Sequence, residues 1–138
     1  MERFIEKASV LIEALPFIQQ FRGETVVVKF GGSIMENEDG YSRILQDIAF
    51  MECVGLRPIV VHGGGKAISR AMKESGIAPD FVQGLRVTDA ETIHVVERVL
   101  NHEVNPHLVE IIQNCHGRAR GIHGEDIIRV DKMTGTNP

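Results

Sequence analysis

Two short apolar segments, each followed by glycines, constrain the fold of this chain more than any other feature. The first reads TVVVKF at residues 25–30 and runs into the letters GGS. The second reads PIVV at residues 58–61 and runs, after one histidine, into GGG. Continuous runs rich in β-branched residues are typical of strands buried on both faces of a parallel sheet. Between them, residues 39–52 place apolar side chains at helical spacing, so the pattern predicts a β-α-β unit.

The rest of the chain extends this alternation and then departs from it. Residues 67–75 predict a second helix, with apolar side chains on one face. Residues 81–88, FVQGLRVT, are short, alternating and centred on a glycine, which predicts a hairpin or a bent strand pair. Residues 119–122 and 127–130 predict two short strands, the first of them a third parallel one. We therefore expect an α/β protein, a three-layer α/β/α sandwich with a mainly parallel sheet.

The helical part of the second half has a start signal and a break signal. Thr88 and Glu91 have the spacing of a capping box, which predicts that a helix begins there. Asn105–Pro106 predicts a break, because the residue before a proline is disfavoured in the helical conformation. Residues 107–114 then predict a further helical segment.

The amino-terminal 22 residues form a segment of their own ahead of the first strand. Apolar residues recur there at three- and four-residue steps, which predicts an amphipathic helix that Pro16 should kink or split. These residues are Phe4, Ala8, Leu11, Leu15 and Ile18. Two explanations of the stripe stay open: it packs on its own domain, or it docks on another subunit.

Length, charge and cysteine usage exclude several classes of protein. The chain has 138 residues and a formal charge of −4, so one domain is expected and a nucleic-acid partner held by phosphate contacts is not. No apolar run approaches the roughly 20 residues of a membrane helix, and the amino terminus lacks the layout of a signal peptide. Cys53 and Cys115 stand far apart, which favours two reduced thiols and a cytoplasmic location.

The second glycine segment fits neither of the two best-known nucleotide loops. A Rossmann turn requires G-x-G-x-x-G, and GGGKAI lacks the third glycine. A Walker A loop requires a glycine where Val60 stands and a hydroxyl where Ala67 stands. Glycines at the carboxyl ends of parallel strands still let backbone N–H groups approach an anion, helped by the following helix. Both glycine segments therefore predict anion contacts along one cleft, although glycine pairs also serve simple turns.

Two basic residues near these glycines are candidates for ligand contacts. Lys29 stands in an apolar run beside the first glycines, where it is well placed to neutralise a phosphoryl group. The alternative is a lysine that extends to solvent from an edge strand. Arg86 follows a glycine, and its fork suits bidentate capture of a carboxylate; the alternative is a surface ion pair.

The histidines do not predict a metal site. HEVNPH at 102–107 resembles a zinc helix only loosely, because its spacing is wrong and Pro106 interrupts the helix. His62 adjoins the second glycine segment but has no metal partner in the sequence. We interpret these histidines as structural or polar-contact residues.

Three segments together, VVVKFGGS, IVVHGGGKAIS and FVQGLRVTD, resemble the amino acid kinase family in their order and spacing. Within that family they are most similar to the arginine-sensitive, hexameric enzymes that phosphorylate N-acetyl-L-glutamate. KASVLIEALPFIQQFRG also resembles the amino-terminal helix of those enzymes, so the resemblance covers nearly the whole chain. It implies an oligomerising segment at residues 1–22, a substrate lobe at residues 23–138 and a likeness to the first of two lobes. The nucleotide-binding second lobe is expected to be absent from this chain.

The resemblance also implies a role for each matching residue. Lys29 would stabilise the transferring phosphoryl group, and Gly31 and Gly32 would offer N–H groups to the phosphates. Gly64 and Gly65 would hold the substrate near its reacting carboxylate, while Arg86 would bind its other carboxylate. The implied partners are N-acetyl-L-glutamate, ATP with Mg²⁺ carried by the nucleotide, and further copies of the chain, with no nucleic acid and no membrane.

One loop departs from the family pattern. The family usually shows G-L-S-G-K-D-G where this chain reads GIHGEDI, with His123 and Glu125 at the changed positions. Contacts made by that loop are therefore not carried over. The main hypothesis is a kinase acting on the side-chain carboxylate of N-acetyl-L-glutamate, with this chain as one lobe. The alternatives are a non-catalytic truncated paralogue, acting as a binding or assembly module, and the kinase-like domain of an acetylglutamate synthase.

Overall fold

The computed structural model describes residues 1–31 and 38–130, and its centre is a parallel strand pair. Strand β1, Thr25–Phe30, pairs with β2, Arg57–His62, in a register that runs from Thr25 opposite Arg57 to Phe30 opposite His62. Helix α2, Glu38–Cys53, connects the two strands. The β-α-β unit and the α/β class with a parallel sheet are thus confirmed.

The glycine-centred segment after the second glycines forms the expected hairpin. Helix α3, Gly65–Glu74, leads into β3, Phe81–Val82, which pairs antiparallel with β4, Leu85–Arg86. The two turn residues have positive φ angles, 51° at Gln83 and 80° at Gly84. A two-residue turn of this handedness matches the twist of the strands that it joins.

The second half folds into a nearly continuous helix, so the predicted break at Asn105–Pro106 is wrong. Helix α4, Ala90–Val99, passes through a π-helical turn, Leu100–Val104, into α5, Asn105–Asn114. The Asn105 N–H donates to the carbonyl of Leu100, and this wider turn accommodates the proline ring without ending the helix.

The start of α4 also differs from the prediction by one residue. Asp89, not Thr88, is the N-cap, and its carboxylate accepts a hydrogen bond from the Thr92 N–H at 2.8 Å. The Asp89 carboxylate thus fulfils the capping role that the sequence pattern assigned to Thr88.

The two strands predicted near the end of the described chain are wrong. Residues 119–122 have no strand partner in the described structure, and residues 124–127 form a short helix, α6, Gly124–Ile127. The carbonyls of Ala119 and Ile122 accept hydrogen bonds from the side-chain amides of Gln113 and Asn105. These amides hold the segment against α5, so it does not pair beside β2.

The hydrophobic core lies on one face of the strand pair. The buried apolar residues come from β1, from helices α2 to α5 and from the π-helical turn: Phe30, Tyr41, Leu45, Ile48, Ala49, Ile68, Ala71, Met72, Val99, Val104, Leu108 and Ile112. Val28 and Val60 pack against this cluster. Val27, Ile59 and Val61, on the opposite face, are 64%, 51% and 49% exposed, so the expectation of burial on both faces is wrong for the described residues.

The amino-terminal segment forms a single helix, α1, Glu2–Phe21, which contains Pro16 without being split. None of its residues is buried against the described part of the chain. The attachment to the strand pair lies just after it: Gly23 donates its N–H to the Gly55 carbonyl at 2.8 Å, and its own carbonyl accepts from Arg57. Across residues 1–31 and 38–130, α1 and the other helices are too short or too polar to cross a membrane.

Candidate functional site at the strand ends

The two glycine segments meet at the carboxyl edge of the strand pair. Because β1 and β2 run parallel, both end at this edge, and the Gly63 N–H donates to the carbonyl of Phe30 at 3.3 Å. We call the end of β1 with Lys29 and Gly31 the first corner, and Gly63–Gly65 with the start of α3 the second corner. The structure therefore brings the two predicted anion-contact segments together. Gly32 lies outside the described residues.

Lys29 reaches the first corner from the open face of the strand pair. It stands opposite Val61 in the register, and its side chain is exposed. Its ammonium group is therefore not buried in apolar surroundings, which removes the argument that burial forces it to take a partner. Gly31 follows two residues later, and a Cβ added there would meet no atom within 4 Å. The first corner is thus an open basic site.

The second corner is built differently, and its glycines are not equivalent. Gly64 is buried, and a Cβ added to it would lie 2.7 Å from Cδ2 of Leu100 in the π-helical turn. A Cβ added to Gly65 would meet nothing within 4 Å. The absence of a side chain at Gly64 thus allows the π-helical turn to pack against the corner, whereas the space around Gly65 is open. Gly64 is the N-cap of α3 and Gly65 is its first residue, and backbone N–H groups at these positions lack partners within the helix.

Arg86 extends from β4 to the second corner. Its Nη2 group donates to the Gly65 carbonyl at 3.0 Å and to the Ser69 hydroxyl at 2.6 Å. Its Nη1 group lies 3.0 Å from the sulfur of Met72, and its Cζ atom lies 4.7 Å from the centre of the Phe81 ring. In the described part of the chain no carboxylate pairs with Arg86, so the alternative of a surface ion pair does not describe its position.

The sequence pattern did not identify the residues that surround Arg86. Ser69 and Met72 lie on α3, and Phe81 lies at the start of the hairpin. Helical spacing offers one signal for the first of them, because Ser69 stands four residues after Gly65 and so lies on the same side of α3. Phe81 and Arg86 stand opposite each other in the hairpin register, a relation that appears only once the turn is known.

The histidines make polar or ring contacts. Nδ1 of His62 lies 3.2 Å from the Gly63 carbonyl, and Nε2 of His107 lies 2.9 Å from the hydroxyl of Tyr41. His102 and His123 meet edge to face, with ring centres 6.0 Å apart. Among the described residues no group of three or more His, Cys, Asp or Glu could hold a metal ion.

The loop that departs from the family pattern is attached to the π-helical turn. The Asn101 amide donates to the carboxylate of Glu125 at 2.8 Å. The pKa of Glu125 lies below its ordinary value, first because its own backbone N–H donates to the carboxylate and then because of the Asn101 amide. Gly121 lies so close to Asn105 that an added Cβ would stand 2.4 Å from the amide oxygen.

A separate apolar groove of about 840 Å³ lies along β2, beyond the site described above. It is bordered by β2, by residues of α2, α4 and α5, and by most of the segment 118–128. Lys29, Gly65 and Arg86 do not line it. The strand-end site and this groove are therefore different features of the molecule.

The fold and the strand-end site define an α/β protein whose two glycine corners and basic residues converge on one edge of a parallel sheet. The model of the amino acid kinase family matches residues 24–137. The chain therefore belongs to the amino acid kinase family.

Curated relatives are similar over most of this chain but are longer than it. The acetylglutamate kinase of Carboxydothermus hydrogenoformans is 44% identical over 140 positions, which cover 100% of this chain and 48% of the relative. That of Campylobacter jejuni is 48% identical over 126 positions, covering 91% and 45%. That of Acaryochloris marina is 50% identical over 121 positions, covering 88% and 43%. The chain spans about half the length of the curated relatives that it matches.

Solved structures support the fold. The smu.665 protein of Streptococcus mutans superposes with a TM-score of 0.59 at 29% identity, covering 67% of this chain and 37% of that one. The N-acetylglutamate synthase of Neisseria gonorrhoeae, complexed with coenzyme A and N-acetyl-glutamate, has a TM-score of 0.57 at 23% identity. The match covers 78% of this chain and 24% of the synthase, and at this identity the likeness concerns the fold alone.

Proposed function

We propose that this chain is the acyl-amino-acid-binding lobe of an acetylglutamate kinase. The reaction would be the ATP-dependent phosphorylation of the side-chain carboxylate of N-acetyl-L-glutamate, a step of arginine biosynthesis. Relatives that bear the kinase name at 44–50% identity support this proposal. They favour it over a non-catalytic module and over the kinase-like domain of a synthase.

The position of Arg86 is the observation that carries the proposal. Its guanidinium lies against the second corner and pairs with no carboxylate among the described residues. Charge-assisted hydrogen bonds to a carboxylate are among the strongest that an arginine makes. Arg86 would therefore bind the substrate's main-chain carboxylate, while N–H groups of Gly64 and Gly65 would contact the end of the substrate that reacts.

The first corner has the composition that a phosphate group requires. Lys29 supplies a positive charge at the strand end, and the open space at Gly31 would let backbone N–H groups approach phosphate oxygens closely. Gly32 would add to this cradle. The nucleotide, with Mg²⁺ on its phosphates, would supply the phosphoryl group. Residues for the adenine end would belong to a second lobe of the kind that the longer relatives have room for.

The chemistry requires little from the protein beyond alignment and charge. A carboxylate is ionised at neutral pH, so it attacks the γ-phosphorus without a general base. An oxygen–phosphorus bond forms, the bond from the γ-phosphorus to the bridging oxygen breaks, and ADP leaves with its electron pair. Arg86 and the second corner would align the attacking oxygen, and Lys29 would offset the charge on the transferred group.

We also infer an assembly and a location for this lobe. The exposed helix α1 would dock on another copy of the chain, so residues 1–22 would be an oligomerising segment and residues 23–138 the substrate lobe. The reduced cysteines and the metabolic substrates fit a cytoplasmic protein. Its partners would then be N-acetyl-L-glutamate, ATP and further copies of itself, with neither nucleic acid nor membrane.

Calorimetry tests the substrate assignment. We expect the chain to bind N-acetyl-L-glutamate and the Arg86→Ala variant to bind it at least about 30-fold more weakly, because a desolvated charge pair is lost. Arg70→Ala is the matched control, since it removes the same charge from an exposed position on α3. A folded wild-type chain without affinity for N-acetyl-L-glutamate would contradict the proposal.

A second assay separates the kinase from a non-catalytic module. Acyl phosphate formed from ATP and N-acetyl-L-glutamate is trapped by hydroxylamine and measured as the hydroxamate. Turnover by the purified chain excludes the non-catalytic alternative. Substrate binding without turnover would favour that alternative for the chain on its own.

A further inference from the structure

The guanidinium of Arg86 belongs to a closed set of three hydrogen bonds at the first turn of α3. Its Nη2 group donates to the Ser69 hydroxyl at 2.6 Å and to the Gly65 carbonyl at 3.0 Å. The Ser69 hydroxyl donates to the same carbonyl at 2.9 Å. A hydroxyl has one donor and can accept as well, so this arrangement uses Ser69 in both capacities. Ser69 thereby joins the arginine to the second corner.

Two further contacts set the orientation of the guanidinium plane. Nη1 lies 3.0 Å from the sulfur of Met72, a residue that is 1% exposed and therefore has a fixed position. Phe81 lies against the guanidinium on the hairpin side, with 4.7 Å from Cζ to the ring centre. An exposed aromatic ring adds a modest attraction of the cation–π type. Ser69 supplies the shortest of these contacts.

After its contacts to α3, Arg86 still has N–H donors with which it can bind a ligand. A guanidinium has five N–H donors, and its hydrogen bonds to Ser69, Gly65 and Met72 occupy at most three of them. At least two donors therefore remain, one on Nε and one on Nη1, and each can donate a hydrogen bond to a ligand oxygen. The contacts to α3 thus hold the guanidinium in place and still leave N–H donors for a ligand.

We propose that Ser69 is a positioning residue that presets Arg86 for carboxylate binding. Its hydroxyl keeps the guanidinium against α3, so the remaining donors are oriented before the ligand arrives. The identity of the ligand, N-acetyl-L-glutamate, rests on the proposed function; the positioning of Arg86 by Ser69 does not. Ser69 itself contacts the arginine and the corner, and its effect on the ligand passes through them.

If Ser69 presets Arg86, substitutions of Ser69 should weaken ligand binding in a specific pattern. In Ser69→Ala the charge of Arg86 and the Gly65 carbonyl both remain, but the long side chain regains rotamer freedom that the ligand must then remove. Affinity for N-acetyl-L-glutamate should fall about tenfold, the size expected for one hydrogen bond to a charged group. Ser69→Thr should restore most of it, because a threonine hydroxyl also bonds to the carbonyl four residues earlier in a helix.

The first experiment needs no ligand. In a ¹⁵N-labelled chain the Arg86 side-chain N–H signals, assigned by their loss in Arg86→Lys, report whether rotation of the guanidinium is slowed by its hydrogen bonds. Ser69→Ala should shift and broaden these signals, and Ser69→Thr should not. Ser9→Ala is the matched control, because Ser9 makes the same hydrogen bond to the carbonyl four residues earlier, on α1. Unchanged Arg86 signals in Ser69→Ala would overturn the proposal.

The second experiment measures the consequence for binding. Calorimetry with N-acetyl-L-glutamate should give the order wild type, Ser69→Thr, Ser69→Ala, Arg86→Ala from tightest to weakest. In a double-mutant cycle Ser69→Ala should have no further effect once Arg86 is alanine. An equal loss in both backgrounds would show that Ser69 acts independently of Arg86 and would overturn the proposal. If the wild type does not bind N-acetyl-L-glutamate, the proposed function fails, while the Arg86 signals still decide the role of Ser69.

Discussion

The two corners have similar sequences and different constructions. Each consists of a strand followed by glycines, and each has a basic residue nearby. At the second corner other parts of the protein contact the glycines: Gly64 packs under Leu100, and Arg86 donates a hydrogen bond to the Gly65 carbonyl. The first corner has an exposed Lys29 and an open Gly31.

This difference indicates which part of the proposed reaction depends on groups that are held in place before the ligands bind. A carboxylate site gains affinity when its arginine is held before binding, and the second corner has this property. A transferring phosphoryl group needs charge that acts at the transition state, and an exposed lysine can supply it once the ligands surround it. The comparison predicts that damage at one corner affects binding and damage at the other affects turnover.

Lys29→Ala should produce the largest effect. We expect hydroxamate formation to fall by roughly 10²–10³, the usual loss when one stabilising group is removed from a transition state. The affinity for N-acetyl-L-glutamate should stay within about twofold, because the proposed substrate site lies at the second corner. Lys73→Ala, on the last turn of α3, is the matched control. A fall in substrate affinity as large as the fall in rate would erase the distinction between the corners.

Substituting alanine for Gly64 and for Gly31 should show that only the first of these glycines is required for packing. Gly64→Ala places a Cβ 2.7 Å from Leu100, so we expect a loss of about 1–3 kcal/mol in the free energy of unfolding. Gly31→Ala meets no atom within 4 Å and should change stability by less than about 0.5 kcal/mol. Urea unfolding followed by circular dichroism measures both. Equal stabilities of the two variants would mean that Leu100 adjusts without cost.

A pH series should affect the stability of the chain through the cap of α4. N–H and hydroxyl groups of Thr92 donate to the Asp89 carboxylate, which lowers the pKa of Asp89 below its ordinary value. A carboxyl whose pKa is lowered by folding stabilises the native state above its unfolded pKa, and this contribution is lost as pH falls through the folded pKa.

The expected result is a decrease in Tm below about pH 4, part of which is absent in Asp89→Asn. Asparagine keeps the cap but does not titrate, so the variant isolates this one group. Glu52 and Glu125 also have lowered pKa values, and their acid-dependent losses should remain in both proteins. Identical pH dependence in the two proteins would exclude a role for Asp89.

The sequence predicted the parts of this molecule whose signals are local. The strand–glycine segments, the helix between them and the glycine-centred hairpin all depend on neighbours within a few residues. Lys29 and Arg86 were singled out because each is a charge close to glycines, and their roles in binding stay predictions. The convergence of the corners followed from one rule, that parallel strands end at the same edge.

The features that the sequence did not predict depend on contacts between residues that are distant in sequence. Residues 119–122 were predicted to form a strand, but the side chains of Asn105 and Gln113, on α5, donate to the carbonyls of Ile122 and Ala119. Pro106 predicts a break unless a π-helical turn precedes it, and no local pattern announces that turn. Ser69 has an ordinary helical position, and its partner Arg86 lies 17 residues away in sequence.

Removing residues 1–21 should have the smallest effect on stability and should decide between the two explanations of α1. No residue of α1 is buried in the described structure, so the free energy of unfolding should change by less than about 0.5 kcal/mol. Arg22 and Gly23 stay in the truncated chain, because Arg22 packs on Gly55 and Gly23 binds Arg57. If α1 docks on another copy, sedimentation should show a smaller assembly, and Leu11→Glu at full length should have the same result. A large loss of stability with an unchanged number of subunits in the assembly would instead show that α1 packs on its own domain.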